Sequence, residues 1–155
     1  MTGKIDARLK ELEITLPAPP APVASYVPFV VSGNHVFISG QVTVDSGGLK
    51  YVGIVGKNLS AEEGKEAARL CAINAIAQVK AACGGDLDRV ARVVKVTVFV
   101  NAVREFAQHP EVANGASDLF VSVFGEAGRH ARSAVGAGSL PRGVACEVEA
   151  IFEIA

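Results

Sequence analysis

Apolar and polar positions change period several times along this chain, and each change marks an element. Within residues 2–13, Ile5, Leu9 and Leu12 stand at i, i+4 and i+7, the spacing of an amphipathic helix. Pro17, Pro19, Pro20, Pro22 and Pro28 follow, a density that excludes helix and predicts an extended arm laid over the fold. Phe29–Ser32 and His35–Ser39 read as two β runs joined by the tight Gly33-Asn34 turn. Ser39-Gly40-Gln41 breaks the second run, and Asp45 to Gly48 forms another turn.

Ser60 to Glu63 carries the capping-box pattern and opens a helix reaching about Cys83, which Gly84-Gly85 ends. Val90–Val100 alternates at period two: Val94, Val96, Val98 and Val100 share one face, Lys95, Thr97 and Phe99 the other. Phe106 to Gly125 returns to helical spacing, interrupted early by Pro110, with Val112, Leu119, Phe120 and Val123 as core. Arg132–Val135 and Ala145–Ile154 supply the last strands. In the final one Cys146, Val148, Ala150, Phe152 and Ile154 face the helices, which leaves Glu147, Glu149 and Glu153 opposite. The order predicts an α+β fold, a mixed sheet with two main helices packed on one face. Two helices cannot cover the second face, so that face is either wet or buried against another subunit.

Composition adds limits. The 155 residues fit a single domain spanning 1–155, in which 1–22 form the N-terminal helix and arm. Half the residues are hydrophobic and the mean hydropathy is +0.33, which suits tight packing or an oligomer interface. No apolar run approaches the roughly 18 residues of a membrane span, and no signal segment opens the chain, so a cytoplasmic protein is expected. A net charge of −1, with no basic cluster longer than a pair, argues against a nucleic-acid platform. Cys71, Cys83 and Cys146 form no CxxC motif and read as reduced core cysteines. His35, His109 and His130 lack metal-ligand spacing, and no metal site is expected.

The chemistry concentrates between His130 and Ala155. Arg132 sits among small apolar residues, and a guanidinium in such a place needs its donors satisfied. On the residues alone two readings stand: an ion pair with Glu147 or Glu149 across neighbouring strands, or a bidentate grip on a small carboxylate ligand.

Ser39-Gly40-Gln41, Gly84-Gly85 before the valine-rich strand, Ala131-Arg132-Ser133, Leu140-Pro141 and Glu147-Val148-Glu149-Ala150 together closely resemble the RidA/YjgF family of reactive-intermediate deaminases. The match covers about Val23 to Ala155, and the longer N-terminus resembles a divergent YjgF-like branch, often called endoribonuclease L-PSP. The resemblance implies a chorismate-mutase-like fold and a homotrimer with ligand clefts between subunits. It also implies cofactor-free hydrolysis of enamine and imine carboxylates to 2-keto acids and ammonia. Carried over by position, Arg132 is the carboxylate clamp and Glu147 the acidic group near the hydrolytic water. Ser39 and Gly40 line the cleft, and Tyr26 closes it from the N-terminal arm. Two positions depart: Ala134 stands where deaminases often carry Cys, and Arg104 where many members carry a cleft asparagine. A non-catalytic sensor of small keto acids is the alternative function. Ribonuclease activity comes third, because the acidic pI and missing basic groove argue against it.

Overall fold

The long helix is built as the capping box requires. Ser60 Oγ accepts from the Glu63 amide at 3.1 Å, and Glu63 Oε1 accepts from the Ser60 amide at 3.1 Å. Helix α2 then runs Ala61–Ala82, and its small residues, Ala67, Ala68, Ala72 and Ala75 among them, let it lie close on the sheet. The computed structural model describes residues 2–19 and 24–155. Within them, α1 is Lys4–Glu11, β1 Phe29–Ser32, β2 His35–Gln41, β3 Val44–Asp45 and β4 Gly48–Leu49. After α2 come β5 (Val90–Asn101), α3 (His109–Phe124), β6 (Ala131–Ala137) and β7 (Cys146–Ile154).

The main sheet is mixed, in the order β1-β2-β7-β5-β6; β3 and β4 form a separate small ribbon. All neighbours are antiparallel except β5 and β6, a parallel pair joined through α3. Val36, Ile38, Val96, Val98, Val148 and Phe152 are buried against α2 and α3, so the expected inward set of β7 holds. Cys71, Cys83 and Cys146 are buried and unpaired, and burial pushes the Cys71 thiol up, which keeps it inert. No helix among the described residues is long and apolar enough to cross a membrane.

Four expectations need correction. Val94 does not share the inward face: the β5–β7 register slips between Val93 and Lys95, so Val93 is buried and Val94 takes up the bulge. Helix α3 begins at His109, and Pro110 stands in its first turn, where a missing N–H costs nothing, rather than interrupting it. Strand β2 continues to Gln41 through a register shift at Ser39-Gly40 instead of breaking there. Three helices, not two, pack on the sheet side, because α1 docks on α3 and on the turn before β5.

That docking uses Asp88. Helix α1 has no cap of its own, and the Asp88 carboxylate accepts from the Lys4 and Ile5 amides, each at 2.8 Å. These bonds hold the Asp88 carboxyl below the usual carboxylate range. The folded chain therefore binds this proton less readily than the unfolded one. The cap contributes fully above the ordinary carboxylate pKa and is lost as pH falls through the folded value. Amide exchange of Lys4–Glu11 should accelerate selectively in Asp88→Ala at neutral pH, and in the wild type only under acid. Unchanged protection in Asp88→Ala would contradict this account. The arm beyond α1 is laid over the fold as far as it is described, with Ile14 buried and Leu16 and Pro17 half-buried. Pro20 and Pro22 lie outside the described residues.

The other face of the sheet carries no helix. Val30, Phe37 and Val135 are exposed there at 52%, 45% and 42%, beside half-buried Phe99 and Ile151. Polar side chains interleave with them: Thr97, Glu149, and Lys95, whose Nζ donates to Ser133 Oγ at 3.2 Å.

Candidate active site

Strand β6 is an edge strand of small residues with one long exception. Its register sets Arg132 beside Val96, Ala134 beside Val98 and Gly136 beside Val100, so all three lie on the helix side of the sheet. Arg132 reaches into α3, where its Nη1 donates to Asn114 Oδ1 at 2.8 Å and to Ser117 Oγ at 3.1 Å. Nη1 has two hydrogens, and both are used. The Nε–Nη2 edge keeps its donors, in the side-on geometry that receives a carboxylate. Neither Glu147 nor Glu149 pairs with Arg132, and among the described residues no carboxylate lies within salt-bridge reach of it. The half-buried guanidinium is thus fixed by neutral partners while its charge stays uncompensated.

Ser117 passes the order on. Its hydroxyl lies 2.8 Å from His130 Nε2, and His130 Nδ1 lies 2.7 Å from the Gly128 carbonyl. A carbonyl only accepts, so the network assigns the proton to Nδ1; Ser117 then donates to Nε2 and accepts from Arg132. Burial, with help from the Arg132 charge, pushes the His130 pKa down and keeps the ring neutral. His130 is structural here, as its edge contact with Phe120 at 5.8 Å also indicates.

Glu147 stands on the opposite face. It pairs with Phe99 on the side that lacks helices, and its carboxylate lies over Gly40. A Cβ at Gly40 would collide with Glu147 Oε1 and stand 2.9 Å from Cδ, so a side chain there would push this carboxylate aside. Burial first, and the Glu149 charge second, push the Glu147 pKa up. Ser39 is occupied structurally: its Oγ donates to the Val27 carbonyl at 2.7 Å and its amide to Pro28 at 2.9 Å. Those bonds fix the segment that carries Tyr26, whose ring is 66% exposed.

The structure thus gathers the sequence-derived residues into two groups. Arg132 and Ala134 share the helix side of β6; Glu147 and Gly40 share the open side, with the Tyr26 segment pinned through Ser39. Arg104 is exposed on the loop between β5 and α3. Strand β5 separates β6 from β7, so one chain does not bring Arg132 and Glu147 onto one small ligand. Asn114 and Ser117, which orient Arg132, were not anticipated. Their i, i+3 spacing among the small apolar residues of α3 was the available signal.

Known proteins share this sequence pattern and this fold. A family model described as YjgF/chorismate mutase-like, putative endoribonuclease, matches residues 6–154. Protein TCP17 of Trypanosoma cruzi is 49% identical over 154 residues, 99% of this chain and 96% of that protein. The crystal structure of Atu1372 from Agrobacterium tumefaciens, a protein described as of unknown function, superposes with a TM-score of 0.91 at 48% identity. That match covers 97% of this chain and 93% of the other. A 2-iminobutanoate/2-iminopropanoate deaminase of Dermatophagoides farinae is 30% identical over 91% of this chain and 94% of its own length. With a model match over almost the whole sheet and its helices, this chain belongs to the YjgF/chorismate mutase-like family.

Proposed function

We propose that the protein hydrolyses small imine and enamine carboxylates to 2-keto acids and ammonia, in clefts between copies of itself in a homotrimer. One observation carries this reading: Arg132 is held by Asn114 and Ser117 through a single nitrogen, with its Nε–Nη2 edge and its charge left for a carboxylate. The relative named as a 2-iminobutanoate/2-iminopropanoate deaminase supports the chemistry. Imine hydrolysis asks for a held carboxylate, a placed water and proton handling, all within reach of Arg132 and a carboxyl of raised pKa such as Glu147. Because these two residues lie on opposite faces of one sheet, a second copy has to supply one of them. The helix-free face, with Val30, Phe37 and Val135 exposed, offers the apolar area for that association. Ser39, Gly40 and Tyr26 would enter the cleft from the Glu147 side, Ala134 from the Arg132 side.

Ala134 favours a second reading, a non-catalytic receptor for small keto acids, because it offers only a methyl group where deaminases often carry Cys. RNA cleavage, named in the family description, is the weaker reading for a chain of net charge −1. The test generates 2-iminopropionate in situ with an amino-acid oxidase and follows pyruvate release with and without protein. Accelerated release at micromolar protein is the expected result. Pyruvate binding by calorimetry without acceleration would establish the receptor instead, and neither binding nor acceleration would contradict both.

A further inference from the structure

The Arg132 anchor is joined to a titratable ring. The Ser117 hydroxyl stands between Arg132 Nη1 and His130 Nε2, 3.1 Å from the first and 2.8 Å from the second. The two nitrogens are therefore no more than about 6 Å apart, a separation at which unit charges still act on each other. The ring is fixed from its other sides as well. Nδ1 donates to the Gly128 carbonyl at 2.7 Å, and Phe120 meets the ring edge to face with centroids 5.8 Å apart. Gly128 itself packs backbone to backbone on α3, where a Cβ would stand 2.7 Å from the Phe120 carbonyl carbon. Other charges on the surrounding elements point away or are already paired. Glu111 and Asp118 of α3 are exposed, Glu126 and Arg129 in the turn before β6 are exposed and paired with each other at 3.3 Å, and Lys95 of β5 turns to the helix-free face toward Ser133. Arg132 is the charge that acts on the His130 ring.

We propose that His130 is a positioning residue of the anchor, through which a proton and a carboxylate ligand promote each other's binding. The proposal rests on the reading of Arg132 as a carboxylate clamp. With the ring neutral, Ser117 gives its hydrogen to Nε2 and keeps its lone pairs for Arg132. When the ring takes up a proton, Nε2–H donates to Ser117 instead, and the second lone pair of that oxygen still serves Arg132. The fork keeps its place in both states, while a second positive charge stands beside it. A carboxylate on the Nε–Nη2 edge offsets the Arg132 charge that disfavours the imidazolium, so His130 holds its proton more tightly when ligand is bound. By linkage the ligand gains the same factor in affinity as pH falls through the His130 range. For half-buried groups close to solvent the factor is about fivefold.

The test measures pyruvate affinity by calorimetry at about pH 5.5 and about pH 8, either side of the ordinary histidine range, in the wild type and in His130→Gln. The glutamine amide can accept from Ser117 but takes up no proton. From the higher pH to the lower, wild-type affinity should rise about fivefold more than that of the variant. Glu147 and every other titratable group are common to both proteins, so the difference isolates His130. Titration of the ring by NMR needs no substitution: its pKa should rise when pyruvate is bound. In Arg132→Ala it should rise without ligand. Parallel pH dependences in the two proteins, or a ring pKa that pyruvate leaves unmoved, would overturn the coupling while leaving the clamp intact. A wild-type protein that binds no pyruvate at either pH would overturn both.

Discussion

Replacing Arg132 by alanine is expected to weaken pyruvate binding by about 100-fold or more, with turnover of 2-iminopropionate lost in parallel. The magnitude follows from what the residue supplies. A half-buried guanidinium with no internal counter-charge presents two parallel donors to the ligand, and charge-assisted bonds of this kind are the strong ones. Folding should change little. Asn114 and Ser117 lose one donor, both remain half-buried rather than sealed off, and the cost is about 1 kcal/mol. Arg132→Lys keeps the charge but loses the fork and should fall between the two proteins. A purely structural arginine would give the reverse pattern, a large loss of stability with pyruvate affinity unchanged. Calorimetry beside a denaturant titration separates the two.

The second large effect lies at the helix crossing. Gly115 of α3 meets α2 so closely that a Cβ there would come within van der Waals exclusion of the Lys65 carbonyl oxygen and 2.8 Å from its carbon. Backbone atoms cannot swing away as a side-chain end can, so the helices must part. Overpacking of this kind costs about 1–3 kcal/mol, occasionally more, and it outweighs the roughly 1 kcal/mol that glycine loses to alanine in helix propensity. Gly115→Ala should therefore lower stability by about 1–2 kcal/mol, and Gly115→Val by more, in urea denaturation. Because Asn114 is the adjacent residue, the same substitution should also weaken pyruvate binding at temperatures where the protein stays folded. A stabilised Gly115→Ala would contradict the crossing geometry.

Much of the fold was legible along the chain because its strongest signals were local. The Ser60/Glu63 box, the Gly84-Gly85 stop and the alternation of β7 each state their own structure. Errors arose where one physical rule admitted two outcomes. In Val93-Val94 either valine satisfies an inward position, so a bulge that switches between them leaves no trace in hydropathy. Pro110 ends one helix or begins another equally well until its position in the first turn is known. Ser39-Gly40 carries a turn composition, yet it bends the strand around the Glu147 carboxylate without ending it.

The candidate residues could be named from the sequence, but the face of the sheet that each one takes could not. Arg132 and Glu147 are close in sequence, and an ion pair between their strands was one of the two readings the residues left open. The phase of β6 cannot be read from Ala131 to Ala137, because its small side chains fit either face and show no alternation of burial. Register with β5 decides the matter and turns Arg132 toward α3 and away from Glu147. If both residues serve one ligand, that separation requires a cleft between copies.

Co-expression of Arg132→Ala with Glu147→Gln tests it most directly. Each variant alone should be nearly inactive in 2-iminopropionate hydrolysis. In mixed oligomers assembled at random from equal amounts, about one quarter of the clefts receive Arg132 from one copy and Glu147 from its neighbour. Recovery of about that fraction of wild-type activity is the expected result. Activity no greater than the sum of the two separate variants, in oligomers shown to be mixed, would contradict it.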